Sequence, residues 1–251
     1  MNNLIQHVIG LTLLASSHAV LALEFDATTG WANRIVMGSQ VSGIVAVVNV
    51  SPGQQVKQGD VLMQLDQRLF KARYNKTRAQ VASEKEALDE AERELERSLT
   101  LYEQTILAEH ELQMARNAHK KAEADYKKAL AENTHAKLDL EYSALVAPFD
   151  AVVLKVLRNK GESINARIET PLMLVIAEAG KMKATGAVSA EQLTGIKTGQ
   201  SATVTISGKN YTGKVKAIGL EPVQGGKLYP VEVEFATDEL IRAGSRASVS
   251  L

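Results

Sequence analysis

The sequence predicts an elongated α+β protein. It reads as a small β-domain made of two separated halves, an antiparallel coiled-coil hairpin inserted between them, and a C-terminal small β-barrel. Three observations carry this. A motif near residue 40 returns near residue 150. Residues 69–142 contain neither glycine nor proline. Residues 180–251 break into short β-branched runs separated by Gly- and Lys-rich turns, the spacing of a small barrel.

The repeat defines the two halves. Ser42-Gly43-Ile44-Val45, with Val48, Gly53 and Val56, matches Asp150-Ala151-Val152-Val153, with Val156, Gly161 and Ile164, at a constant offset of 108. Residues 34–66 alternate as strands do, through Ile35, Met37, Val41 and the run Ile44 to Val50. Ser51-Pro52-Gly53 and Gln58-Gly59-Asp60 are turns. Val61 to Leu65 forms another strand, and Asp66 is placed to cap the helix that follows. The expected divisions are 23–38, an N-terminal strand joining the barrel; 39–66, the first half; 143–179, the second half; and 180–251, the barrel.

Residues 67–142 form the hairpin. Tyr74, Val81, Leu88, Leu95 and Tyr102 recur every seven residues, as do Leu112, His119, Tyr126, Asn133 and Leu140. Ala115, Ala122, Ala129 and Ala136 make a second row at the heptad stagger. Small residues let two helices approach closely, with the large residues of the first covering the alanines of the second. Thr105-Ile106-Leu107-Ala108 interrupts the pattern and marks the tip. Within the barrel, Ser189 followed by Gln192 predicts a capped helical turn.

The N-terminus resembles a secretory signal over residues 1–22. An apolar run from Val8 to Ala15 leads to small residues ending at Ala22, although no Lys or Arg precedes the run. Cleavage after Ala22, an uncleaved anchor and an unstructured start all fit that pattern. The run is short for a membrane span, which takes about 20 residues.

Composition excludes several functions. The chain carries 29 acidic and 29 basic residues and 4% aromatics, so nothing favours nucleic acid as a partner. Without cysteine there is no disulfide, thiolate metal site or cysteine nucleophile. Beyond the signal region the histidines are His110, His119 and His135, all in the hairpin and none at metal-ligand spacing. No Walker loop, nucleophile elbow or dinucleotide fingerprint occurs. Neither catalysis nor a cofactor nor a metal is expected. His119 and Asn133 lie on the seam, where polar residues fix register.

Together these parts resemble the periplasmic adaptors, or membrane fusion proteins (the HlyD-like family), of tripartite efflux systems. The halves are similar to that family's split lipoyl (barrel-sandwich hybrid) domain, through Val41-Ser42-Gly43-Ile44-Val45, Pro52 to Leu62 and Ala147 to Val153. Ala151 stands where the family usually has glycine. The stretches Ile196 to Gln200, Gly213 to Val215 and Ala243 to Val249 resemble its barrel. The resemblance implies an adaptor between an inner-membrane pump and an outer-membrane channel, exporting drugs or other small molecules. It also implies a homo-oligomeric ring, hexameric in expectation, in the periplasm against the inner membrane. A resistance-nodulation-division pump comes first, with ATP-driven and major-facilitator exporters behind it. A lipoyl or biotinyl carrier is disfavoured, because the hairpin replaces the turn that would hold the modified lysine. The family's tip carries Arg, Leu four residues on, and Ser seven further. Arg97 and Leu101 match, and Ala108 stands at the serine position with Glu109 beside it.

Overall fold

The computed structural model describes residues 23–251 apart from 168–169 and 224–225; the signal segment 1–22 lies outside the described residues. In chain order the elements are β1 (Glu24–Trp31), β2 (Arg34–Gly38), β3 (Gly43–Val48), β4 (Gln55–Val56), β5 (Val61–Leu65), α1 (Arg68–Glu103), α2 (Glu109–Tyr142), β6 (Ala144–Val146), β7 (Ala151–Val156), β8 (Ser163–Ile164) and β9 (Leu172–Glu178). β10 (Lys181–Ser189), α3 (Ala190–Leu193), β11 (Ser201–Ile206), β12 (Lys209–Ile218), β13 (Leu228–Ala236) and β14 (Arg246–Ser250) follow. They form two compact units, with boundaries after Gly30 and Lys181.

The segment 23–38 does not belong wholly to the barrel. β1 pairs with β14, whereas β2 pairs with β9 in the other unit. Apolar alternation runs through both strands, so the pattern hides the bend at Ala32-Asn33 that separates them. The first half therefore begins at β2, not at residue 39.

Two four-stranded sheets, β2-β9-β7-β4 and β6-β5-β3-β8, face each other. Each draws two strands from each half, so neither half has a sheet of its own. Val45, Leu62, Met63 and Leu65 from the first half fill one core with Leu145, Val153, Met173, Leu174 and Ile176 from the second. The repeat extends to the hydrogen bonds. The Gly53 amide donates to Val153 at 2.7 Å, and the Gly161 amide donates to Val45 at 2.8 Å. Both glycines adopt positive φ, 88° and 91°, which favours glycine in their turns. A bulge between Val45 and Val47 in β3 recurs between Val153 and Lys155 in β7.

The hairpin leaves this domain where the first half ends and the second begins. The Leu65 amide donates to the Ser143 carbonyl at 2.8 Å, and the Gln67 side-chain amide donates to the Ser143 hydroxyl at 2.8 Å. Gln67, not Asp66, is the N-cap residue of α1, and Asp66 instead accepts from the Arg68 amide at 3.1 Å.

α1 and α2 run to 36 and 34 residues, each about 50 Å long at 1.5 Å per residue. Ala115, Ala129 and Ala136 are buried and Ala122 is half-buried. The Thr77 hydroxyl lies 3.1 Å from the Asn133 side-chain oxygen, so Asn133 is a polar layer joining the helices. Counted along antiparallel helices from that layer, Val81 stands level with Ala129, Leu88 with Ala122 and Leu95 with Ala115. The large residues of α1 thus meet the alanines of α2. In the alternate layers, level with Asn133, Tyr126, His119 and Leu112 of α2, α1 offers Thr77, Glu84, Ala91 and Ser98, a row with no apolar signature. Arg73 and Asp139 pair across the helices at 3.3 Å. On the outer faces, Lys121–Asp125 (2.7 Å), Lys127–Glu123 (2.5 Å) and Lys85–Asp89 are i,i+4 ion pairs. Solvent screens exposed pairs of this kind, so they add little to stability.

The other unit is a closed barrel in the order β1-β10-β13-β12-β11-β14. Alternate residues of β10 point inward: Met182, Ala184 and Val188 are buried between half-exposed neighbours. Val204, Val215, Val231, Val233, Phe235 and Val249 complete that core. Ser189 caps α3 as its sequence predicts: its hydroxyl accepts from the Gln192 amide at 3.4 Å, and the Gln192 side chain accepts from the Ser189 amide at 2.9 Å.

Candidate docking site at the hairpin tip

The turn between α1 and α2 is built around the Leu101 carbonyl, which accepts from the amides of Ile106 at 3.0 Å and Leu107 at 3.4 Å. Thr105 takes φ of 57°, a left-handed conformation that reverses the chain. Leu101 itself is half-buried at the end of the seam, and Tyr102, expected to continue the seven-residue row, is exposed. Helix α1 ends at Glu103, so the seam has no further turn in which to bury that ring.

Ala108 is the N-cap of α2, with extended backbone at φ −74° and ψ 149°. Its methyl group accepts no hydrogen bond. The Glu111 carboxylate supplies the other half of a capping box by accepting from the Ala108 amide at 3.3 Å. Glu109 and Glu111 place two carboxylates in the first turn, against the positive end of the helix dipole. Arg97 lies one helical turn before Leu101. Its guanidinium pairs with Glu94 at 2.5 Å, and its side chain is 62% exposed. Arg97, Leu101, Ala108 and Glu109 are therefore gathered at one end of the hairpin. Leu101 is part of the turn's framework, while the other three present atoms to solvent.

Sequence reasoning passed over an apolar surface here. Ile106 is 69% exposed and Met114 is 59% exposed, with Tyr102 nearby in the chain. The available signal was an isoleucine in a turn, where polar residues normally solvate the backbone. Large apolar groups exposed at such a turn are candidates for a recognition surface. Among the described residues, no group of His, Cys, Asp and Glu side chains could hold a metal ion.

A barrel-sandwich hybrid domain split by a helical hairpin, with a small β-barrel as companion unit, is the architecture of a membrane fusion protein. The chain belongs to that family: the model of the barrel-sandwich hybrid domain of resistance-nodulation-division (RND) membrane fusion proteins matches residues 33–176, more than half of its length. The multidrug resistance protein MdtA of Yersinia enterocolitica is 28% identical over 144 residues, which are 57% of this chain and 32% of that relative. The match thus spans about a third of the curated relative's length. The membrane fusion protein Spr0693 from Streptococcus pneumoniae shares the fold with a TM-score of 0.69 at 17% identity, over 90% of this chain and 97% of that one. A MacA-MexA chimera carrying the Pseudomonas aeruginosa MexA α-hairpin domain gives 0.65 at 23% identity, over 91% and 80%.

Proposed function

We propose that the chain is a non-catalytic periplasmic adaptor. It links an inner-membrane efflux pump, of the resistance-nodulation-division type, to an outer-membrane exit channel. In this reading copies assemble as a ring in the periplasm, peripheral to the inner membrane, and the hairpin tips seal against the channel. Exported drugs or other small molecules pass through the ring. Membership of the RND membrane fusion family supports the pump type, and the multidrug resistance relative supports the cargo class.

The observation that carries the reading is the tip. Arg97 and Glu109 offer charge, Ile106 and Met114 offer apolar surface, and none is needed for the helical seam. A guanidinium suits carbonyl and carboxylate acceptors on a partner's helix ends. The test is Arg97→Glu combined with Ile106→Asp, two exposed tip positions outside the turn's framework, in cells carrying pump and channel. Efflux and tip-to-channel cross-linking are expected to vanish while protein level and ring assembly persist. Retained efflux at normal protein level would place docking elsewhere.

A further inference from the structure

One end of the barrel carries exposed apolar groups that the adaptor reading leaves unused. Leu220, in the connection between β12 and β13, is 94% exposed, and Val223 and Leu228 are exposed beside it. The connection has an ordered base. The Gly219 amide donates to the Pro230 carbonyl at 2.7 Å, and the Val223 amide donates to Leu228 at 2.9 Å. Leu220 is therefore held out on a paired stem.

The strand directions say where this stem points. Glu24 pairs with Ser250, and Thr203 pairs with both Ser250 and Thr212. The start of β1, the end of β14 and the start of β11 thus share one end of the barrel. β12 runs antiparallel to β11, so its C-terminal end, and Leu220 beyond it, lie at that same end. Val223 and Pro230 line one groove with Asp26 and Thr28 of β1, which brings the stem beside the first strand. Leu23, whose carbonyl accepts from the Leu251 amide at 3.0 Å, opens the barrel there. In the chain, Leu23 follows directly on residues 16–22 and the apolar run Val8 to Ala15.

We propose that this end of the barrel rests on a lipid bilayer, with Leu220 inserted at the boundary between headgroups and acyl chains and Val223 and Leu228 against the headgroups. Leu23 and the exposed leucine stand at the same end of the barrel, and the apolar run precedes Leu23 in the chain by only the seven residues 16–22. Glu221 and Lys227 flank the apolar groups with opposite charge. The contact therefore neither depends on anionic lipid nor is repelled by it, and the charges keep it shallow.

The chain contains no cysteine, so Leu220→Cys gives a single labelling site for an environment-sensitive dye. Ser207→Cys, in the exposed turn between β11 and β12 at the other end of β12, is the control. The probe is the full chain with vesicles of phosphatidylethanolamine and phosphatidylglycerol. Dye at 220 is expected to brighten, shift to the blue and be quenched by spin labels on the acyl chains, while dye at 207 stays unchanged. No change at 220, or an equal change at 207, overturns the proposal. So does a change at 220 that needs the pump in the vesicle and escapes acyl-chain quenching, because it identifies a protein partner. None of these readouts involves the hairpin tip, so this proposal and the docking reading fail separately.

Discussion

Ser42 and Asp150 perform one task in the two halves of the duplicated domain. The Ser42 hydroxyl accepts from the Ala166 amide at 2.9 Å, and the Asp150 carboxylate accepts from the Gln58 amide at 2.9 Å. The two acceptors and the two donors are each separated by the same repeat offset. Asp150 adds a charge, and its second oxygen takes the Lys57 ammonium at 2.8 Å. Asp150→Ser is therefore expected to keep the amide bond and unfold close to the wild-type temperature. Asp150→Ala, which leaves the Gln58 amide to water, should melt measurably lower. Thermal unfolding of the two variants side by side decides it.

The hairpin should be removable. Leu65 and Ser143 are already hydrogen-bonded at its root, and the core draws on both halves. Deleting residues 67–142 and joining Asp66 to Ser143 by a short turn is expected to leave a cooperatively unfolding β-protein. Circular dichroism and chemical denaturation read the outcome. Loss of both the β signal and the cooperative transition would show that the hairpin is required for folding.

Seam volume should be tightly limited. Ala129 is 4% exposed, and Ala129→Leu is expected to overpack the layer it shares with Val81 by about 1–3 kcal/mol. Ala122→Leu, at a half-buried position, should cost less. Lys121→Leu, beside it on the outer face, should be nearly neutral. Similar losses at positions 121 and 129 in urea unfolding would contradict the register set by Thr77 and Asn133.

The tip should accept a better cap. Ala108 already has N-cap backbone geometry and lacks only a side-chain acceptor. Ala108→Ser is expected to stabilise the hairpin by about 1 kcal/mol without reducing efflux. Hydrogen exchange of the first amides of α2 provides the measurement, and unchanged protection there counts against the cap.

Acid should act on the hairpin root. The Arg68 side chain, and then its backbone amide, hold the Asp66 carboxyl down to about 2. A depressed carboxyl contributes stability that is complete above its unfolded pKa of about 3.9. That contribution is lost as the pH falls through about 2. Arg68→Met is expected to return the Asp66 titration, followed by carboxyl-carbon NMR, toward the ordinary range. An unmoved midpoint would assign the shift to another group.

Much of this was readable because the signals are periodic. Seven-residue rows named the faces of both helices, and the constant offset named the turns at Gly53 and Gly161. The α1 row of Thr77, Glu84, Ala91 and Ser98 was not readable, since close packing against large α2 residues requires small or slender groups rather than apolar ones. Nor was the division of 23–38. Alternation shows that a strand has an inner face, and says nothing about which sheet supplies its neighbour. At the tip, the motif residues were found through resemblance, but Ile106 and Met114 lie outside any repeat. Their exposure follows from where the seam stops, which is a property of the folded turn.

The closeness of Leu65 to Ser143 has a consequence for how such a molecule changes size. Because the inserted helices leave and return at one hydrogen-bonded point, the host domain does not register how long they are. Seven residues added to each helix at matching levels would carry the tip about 10 Å farther out and leave every strand pairing as it is. Reach is thereby a quantity that sequence change can adjust in whole heptads, independently of the domain from which it is measured.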